Sequence, residues 1–163
     1  MKLKLAIACL VLSGGICMSQ DKETSHETSH QFDFWIGNWE VYSGDKLVGH
    51  NRIEPILDGM VLQENWVGAS GSKGSSFNFY NPQKKKWQQF WVWKNGTTLE
   101  LEGHYSDGKM ILSGQGIDKE GKPIFHRITW FNHADGTVRQ WWQSSKDQKT
   151  WTTAFDGLYK KVS

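Results

Sequence analysis

Turn signals punctuate this chain at nearly regular intervals, and that spacing constrains the fold more than any other feature. Ser43-Gly44-Asp45, Leu57-Asp58-Gly59, Ser70-Gly71-Ser72-Lys73-Gly74, Asn81-Pro82, Asn95-Gly96, Asp107-Gly108, Glu120-Gly121, Asp135-Gly136 and Ser145-Lys146-Asp147 all read as hairpin or loop chemistry. Asn-Gly and Asp-Gly weigh most, because a type I′ turn needs positive φ at both central residues. Between the signals lie ten segments, near 38–43, 47–54, 60–68, 75–81, 86–94, 97–106, 109–117, 123–132, 137–144 and 150–161. They are rich in Trp, Val, Ile, Thr, Phe and Tyr, and none carries a helical period. Ten strands joined in sequence make an antiparallel meander. An open meander would expose two edges, so the pattern predicts an all-β, antiparallel up-and-down barrel of about ten strands. Residues 32–36 supply a short N-terminal helical plug for one end.

The N-terminus reads as an address. Lys2 and Lys4 form a basic start, Leu5 to Leu12 an apolar run, and Cys17-Met18-Ser19 a small-residue cleavage site. The run is too short to span a bilayer, and nothing after it is apolar enough to do so. The expected organisation is a signal peptide (1–19), a polar tether (20–31) and one barrel domain (32–163), exported to the periplasm or secreted. Lipid attachment at Cys17 is the rival, and Ile16 immediately before it speaks against that. Cleavage removes both cysteines, Cys9 and Cys17, and two lysines, leaving 17 basic against 17 acidic residues. A neutral, cysteine-free domain of this length holds together through its core. Without a basic excess, nucleic acid is not expected as a partner. His26 and His30 repeat a Thr-Ser-His triplet, but no apolar neighbour would fix them as metal ligands, and the segment reads as solvated.

Ten Trp, eight Phe and four Tyr, all beyond residue 31, exceed what a core this size needs. Alternation places Leu62, Glu64 and Trp66 on one strand face, Ser76, Asn78 and Tyr80 on another, then Trp87, Gln89, Trp91 and Trp93, and finally Gln140, Trp142 and Ser144. Period alone does not say which faces turn inward. Inward, they line a wet pocket with stacking surfaces, and ten strands leave room for a ligand. Trp66, Asn78, Gln89, Trp91, Gln140 and Trp142 are then the substrate-binding candidates, since sugar C–H faces stack on Trp while amides reach hydroxyls. The same tryptophans would serve equally as core and girdle. Trp35 and Trp39 are expected to seal the barrel, and Trp87 and Trp93 to sit at a rim.

Several chemistries have no signal. There is no His-x-His or His-Glu-x-x-His spacing, no Gly-x-Ser-x-Gly elbow and no phosphate loop. Neither a metal nor an organic cofactor is expected. The partner is read as an oligosaccharide or other small molecule, and the oligomeric state is left open.

Longer motifs carry a resemblance. Phe32-Asp33-Phe34-Trp35-Ile36-Gly37-Asn38-Trp39-Glu40-Val41, Asn51-Arg52-Ile53-Glu54-Pro55-Ile56-Leu57-Asp58-Gly59, Trp87-Gln88-Gln89-Phe90-Trp91-Val92 and Phe155-Asp156-Gly157-Leu158-Tyr159 resemble an exported bacterial family catalogued as a domain of unknown function. Gly37-Asn38-Trp39 is also similar to the Gly-x-Trp start of calycin and lipocalin-like barrels, where a late Arg packs over the Trp. The resemblance implies a calycin-like barrel and, through one activity associated with such proteins, a dehydratase acting on oligosaccharides of ulvan, a sulfated algal polysaccharide.

Removing water from a uronic acid needs a base for the proton beside the carboxylate, a group to hold that carboxylate, and an acid for the departing hydroxyl. Arg127, in the segment Arg127-Ile128-Thr129-Trp130 that shares the resemblance, is the expected carboxylate clamp. His104, Tyr80, Glu64 and His126 are the acid and base candidates. His126 and Arg127 are adjacent on one strand and face opposite ways, so His104 is the preferred partner for Arg127. Burial beside Trp66 is expected to raise the Glu64 pKa and suit it as the acid. The alternative function is a non-catalytic calycin-like barrel binding a small hydrophobic or glycan ligand.

Overall fold

Every segment between turn signals forms one strand: β1 (Gly37–Ser43), β2 (Lys46–Ile56), β3 (Val61–Gly68), β4 (Lys73–Asn81), β5 (Lys86–Trp93), β6 (Thr98–Ser106), β7 (Lys109–Ile117), β8 (Pro123–Asn132), β9 (Val138–Ser145) and β10 (Thr152–Lys161). The computed structural model describes residues 27–162. Each strand pairs antiparallel with its neighbours in sequence, and β1 closes on β10 through pairs such as Val41↔Tyr159, so the barrel has no free edge. The expected signal peptide and the first part of the tether lie outside the described residues.

Turn chemistry accounts for the hairpins. Asp107 and Gly108 both have positive φ (51° and 74°), the type I′ requirement. At Asn95-Gly96 and Asp135-Gly136 only the glycine does, and the preceding side chain accepts from the backbone N–H of Thr97 or Thr137. The inward parity of every strand is set by burial. Trp39 and Val41 on β1, Ile53 on β2, Leu62 on β3, Trp87 on β5, Leu99 and Leu101 on β6, Met110 and Leu112 on β7, Ile128 and Trp130 on β8, and Val138 on β9 form one buried cluster.

One end of the barrel is sealed by aromatics. A 3-10 turn (Asp33–Trp35) places Phe32 and Trp35 inside, stacked with centroids 4.9 Å apart. Phe32 also meets Trp87 and Trp130 edge-on at 5.7 and 5.2 Å. The Trp39 indole N–H donates to the Trp35 carbonyl at 2.8 Å, tying the plug to β1. The cation above Trp39 is Lys161, 5.4 Å from the ring, where a calycin-like barrel was expected to place an arginine.

Two expectations change here. Trp87 is fully buried against the plug, not at a rim, because it lies at the plug end of β5. Residues 27–31, expected in solvent, are docked. Residues 27–29 are helical, Ser29 is buried, His30 Nδ1 lies 2.8 Å from Asp33, and Gln31 accepts from the Trp87 indole. An indole N–H can only donate, and Gln31 supplies the acceptor for Trp87.

Deleting a ring from this plug leaves a cavity among rigid aromatics that cannot collapse. Phe32→Ala or Trp35→Ala is expected to lower stability by about 3–5 kcal/mol, read from urea denaturation.

Candidate functional site

The polar-aromatic faces turn inward. Beyond the apolar cluster, away from the plug, the barrel opens into a cavity of about 420 Å³, within the usual range of about 300–1,000 Å³ for small-molecule sites. Its walls are Trp66, Trp91, Trp93, Trp142 and Phe155, with Leu99 and Ile128 between them, and its polar floor is Glu64, Gln89, Gln140 and Tyr159. The rings meet in two groups: Phe155 with Trp66 at 6.2 Å, and Trp93 with both Trp91 at 5.6 Å and Trp142 at 6.2 Å. No lining residue carries a positive charge.

Glycines seat these walls. A methyl group on Gly49 of β2 would lie 2.5 Å from the Trp66 ring, and one on Gly74 of β4 would overlap the Trp91 ring. Each indole occupies the space above a neighbouring strand at a position with no side chain. Trp66 is held further by its N–H, which donates to Ser72 Oγ at 3.3 Å. Trp142 donates to His126 Nδ1 at 3.0 Å. His126 lies on the inward parity of β8, and burial pushes its pKa down, so it stays neutral with Nδ1 as an acceptor.

Glu64 is the centre of the floor. Only 3% of it is exposed. Its Oε1 accepts from Asn51 Nδ2 at 2.7 Å and its Oε2 from Ser76 Oγ at 2.6 Å. Burial raises its pKa from 4.5 to about 7, and the two hydrogen bonds only partly oppose that rise. From Glu64 two chains of hydrogen bonds run around the barrel. One passes through Ser76 to Asn78 Nδ2 (2.8 Å), whose Oδ1 accepts from Gln89 Nε2 (2.8 Å). The other passes through Asn51 to the Tyr159 hydroxyl (3.4 Å), which donates to Gln140 Oε1. Burial and the Glu64 charge hold the Tyr159 pKa well above its usual value, so the phenol stays a donor.

Of the expected binding residues, Trp66, Gln89, Trp91, Gln140 and Trp142 line the cavity, and Asn78 lies one layer beneath it as the fully buried support of Gln89. Glu64 is present as the buried acid. The other three catalytic candidates are not brought to the cavity. Tyr80 lies inside the barrel at the plug end, packed on Trp87. His104 is exposed on the outward parity of β6, since Leu99 and Leu101 take the inward one. Arg127 is also outward, where Gln143 Oε1 accepts two of its N–H groups and its guanidinium covers Trp151 at 4.4 Å. Of the adjacent pair on β8, His126 faces in and Arg127 faces out.

Asn51, Ser76 and Tyr159 were not singled out from sequence, yet they complete the network. Their signal was available, since each shares strand parity with a buried residue and each is polar where an apolar side chain would be expected. Among the described residues, no group of three or more His, Cys, Asp or Glu is placed to hold a metal ion, and no helix is long and apolar enough to cross a membrane. Neither a family model nor a curated protein matches the chain.

The raised pKa of Glu64 has a signed consequence for stability. Between pH 4.5 and about 7 the unfolded chain has lost this proton and the folded barrel keeps it, so stability falls as pH rises through that window. The expected loss is on the order of 3 kcal/mol. Glu64→Gln should flatten that part of the curve, which urea denaturation at pH 5 and pH 8, compared between wild type and variant, would show.

Proposed function

We propose that the barrel removes water from one sugar unit of a uronic-acid-containing oligosaccharide, such as those derived from ulvan, with Glu64 as its acid–base group. The observation that carries this reading is a lone carboxyl with a pKa near 7 at the floor of an aromatic cavity. A group poised near the working pH both accepts and returns a proton efficiently. The tryptophan walls suit the C–H faces of a sugar ring, and the amides of Gln89 and Gln140 suit its hydroxyls. The resemblance of the Phe32–Val41 and Trp87–Val92 segments to an exported calycin-like family supports the same reading, as does the signal-like start of the chain.

The step balances with Glu64 alone. Its carboxylate takes the proton from the carbon beside the sugar's carboxylate, and the electron pair of that C–H bond forms a C=C bond. The hydroxyl on the next carbon then departs with the same proton, as water. Glu64 ends as it began, ionised. Base and acid thus become one residue, a geometry that requires proton and hydroxyl to leave from the same face of the ring.

A second reading, a non-catalytic barrel binding a glycan or small hydrophobic ligand, is favoured by the mostly apolar lining and by its lack of a cation. Absorbance in the ultraviolet band of unsaturated uronates separates the two during incubation with ulvan, alginate or pectin oligosaccharides. The enzyme reading expects absorbance to grow, kcat/KM to rise with pH to a plateau above about 7, and Glu64→Gln to lower kcat by about 100-fold or more while binding persists. Ligand binding with no absorbance on any of these substrates would leave the carrier.

A further inference from the structure

Two glutamines on the cavity floor cannot choose which end of their amide they show a ligand. The first chain of constraint begins at the Leu62 carbonyl, which can only accept. Asn78 Nδ2 donates to it at 3.2 Å, so Asn78 Oδ1 must face the other way as an acceptor. Gln89 therefore turns its Nε2 to Asn78 and keeps Oε1 for the cavity. The second chain begins at Glu64. Asn51 Nδ2 donates to both Glu64 and the Tyr159 oxygen, so the Tyr159 hydrogen points to Gln140 Oε1, and Gln140 Nε2 is left over. Both side chains are almost buried, 4% and 9% exposed, and both line the cavity.

The other floor groups are committed. The Ser76 hydrogen is directed at Glu64 Oε2 and the Tyr159 hydrogen at Gln140. With Glu64 ionised, the floor therefore presents acceptors at Glu64 and Gln89 and one unspent amide donor, Gln140 Nε2, while the Trp91 indole N–H in the wall is buried without a partner. A ligand's hydroxyls fit the acceptors, whereas of the floor amides only Gln140 offers a hydrogen to an acceptor-only group such as a carboxylate. Gln140 stands on β9 and Glu64 on β3, linked through the Tyr159 and Asn51 side chains.

We propose that Gln140 Nε2 is the seat of the sugar carboxylate and Gln89 Oε1 the seat of a ring hydroxyl, so that these two amides select a uronate ring over a purely hydrophobic ligand. The assignment rests on the glycan reading above and replaces the cationic clamp expected at Arg127 with a neutral donor. Gln140→Glu tests it, because the new side chain still offers Tyr159 an oxygen while its second oxygen replaces the donor facing the cavity.

Calorimetric titration with methyl galacturonide and with methyl galactoside, which differ only in the carboxylate, gives the readout. The variant should bind the galacturonide about 30-fold or more weakly than wild type and the galactoside within about threefold. Equal losses for both ligands, no loss for either, or a wild type that binds galactoside and not galacturonide would overturn the proposal. A wild type that binds neither would overturn the glycan class. Circular dichroism reports folding, and should Gln140→Glu not fold, Gln140→Met is titrated instead with the same outcomes. Because the measurement is equilibrium binding, it is separable from turnover. Uronate selectivity lost in the variant, with no absorbance from any substrate, removes the elimination chemistry and leaves this assignment standing.

Discussion

The burial of one carboxyl inside the barrel is the constraint on which the upper half of the structure depends. Taking Glu64 out of water costs several kcal/mol unless donors surround it or a proton neutralises it. The fold uses both remedies. Asn51 and Ser76, from the strands on either side of β3, each donate to one of its oxygens, and the remaining cost appears as a pKa near 7. Every hydrogen bond beyond those two follows from satisfying the donors themselves. Ser76 must be oriented by Asn78, Asn78 by the Leu62 carbonyl, and Tyr159 by Asn51. Each donor so recruited needs partners of its own, which explains why the polar floor involves so many residues for a single acid, and Asn51 Oδ1 is left buried without one.

The barrel divides its tryptophans by depth. At the plug end, Trp35, Trp39, Trp87 and Trp130 are dry and fill the interior with edge-to-face and stacked contacts. At the other end, Trp66, Trp91, Trp93 and Trp142 stand around empty space. Trp141 and Trp151 lie on the outer surface, packed with Arg139 and Arg127. The excess of aromatics over the needs of a core is thus located at the cavity and on the outside. The plug end supplies the packing energy that offsets an under-packed, polar upper half.

Much of this was legible in the sequence, because hairpin turns and strand alternation are local signals. Asn-Gly and Asp-Gly set the strand count, and the two-residue period put Glu64 with Trp66 and Gln89 with Trp91 on common faces. Period did not say which face turned inward, and where both faces of a strand are apolar it gave no guidance. On β8, Phe125 and Phe131 share parity with Arg127, while Ile128 and Trp130 share parity with His126. Only packing against the plug decides that Trp130 goes inside, and His126 goes with it. The outward position of His104 was legible from its own strand. Leu99 and Leu101 fix the inward parity of β6, and three residues on from Leu101 is outward. The docked residues 27–31 were illegible for another reason. A polar segment without period offers no sign that Gln31 will accept from the Trp87 indole N–H.

The glycines beneath the wall aromatics have a consequence for how such a cavity diversifies. Trp66 and Trp91 owe their seats to missing side chains at Gly49 and Gly74, on neighbouring strands. Adding a single carbon at Gly74 would displace the Trp91 indole without altering any residue that lines the cavity, and at Gly49 it would press on both the Trp66 indole and the Val67 carbonyl. The shape of the cavity is therefore encoded one strand away from its surface. Descendants of this barrel can acquire new ligands through changes that leave Glu64 and its hydrogen-bonded partners untouched.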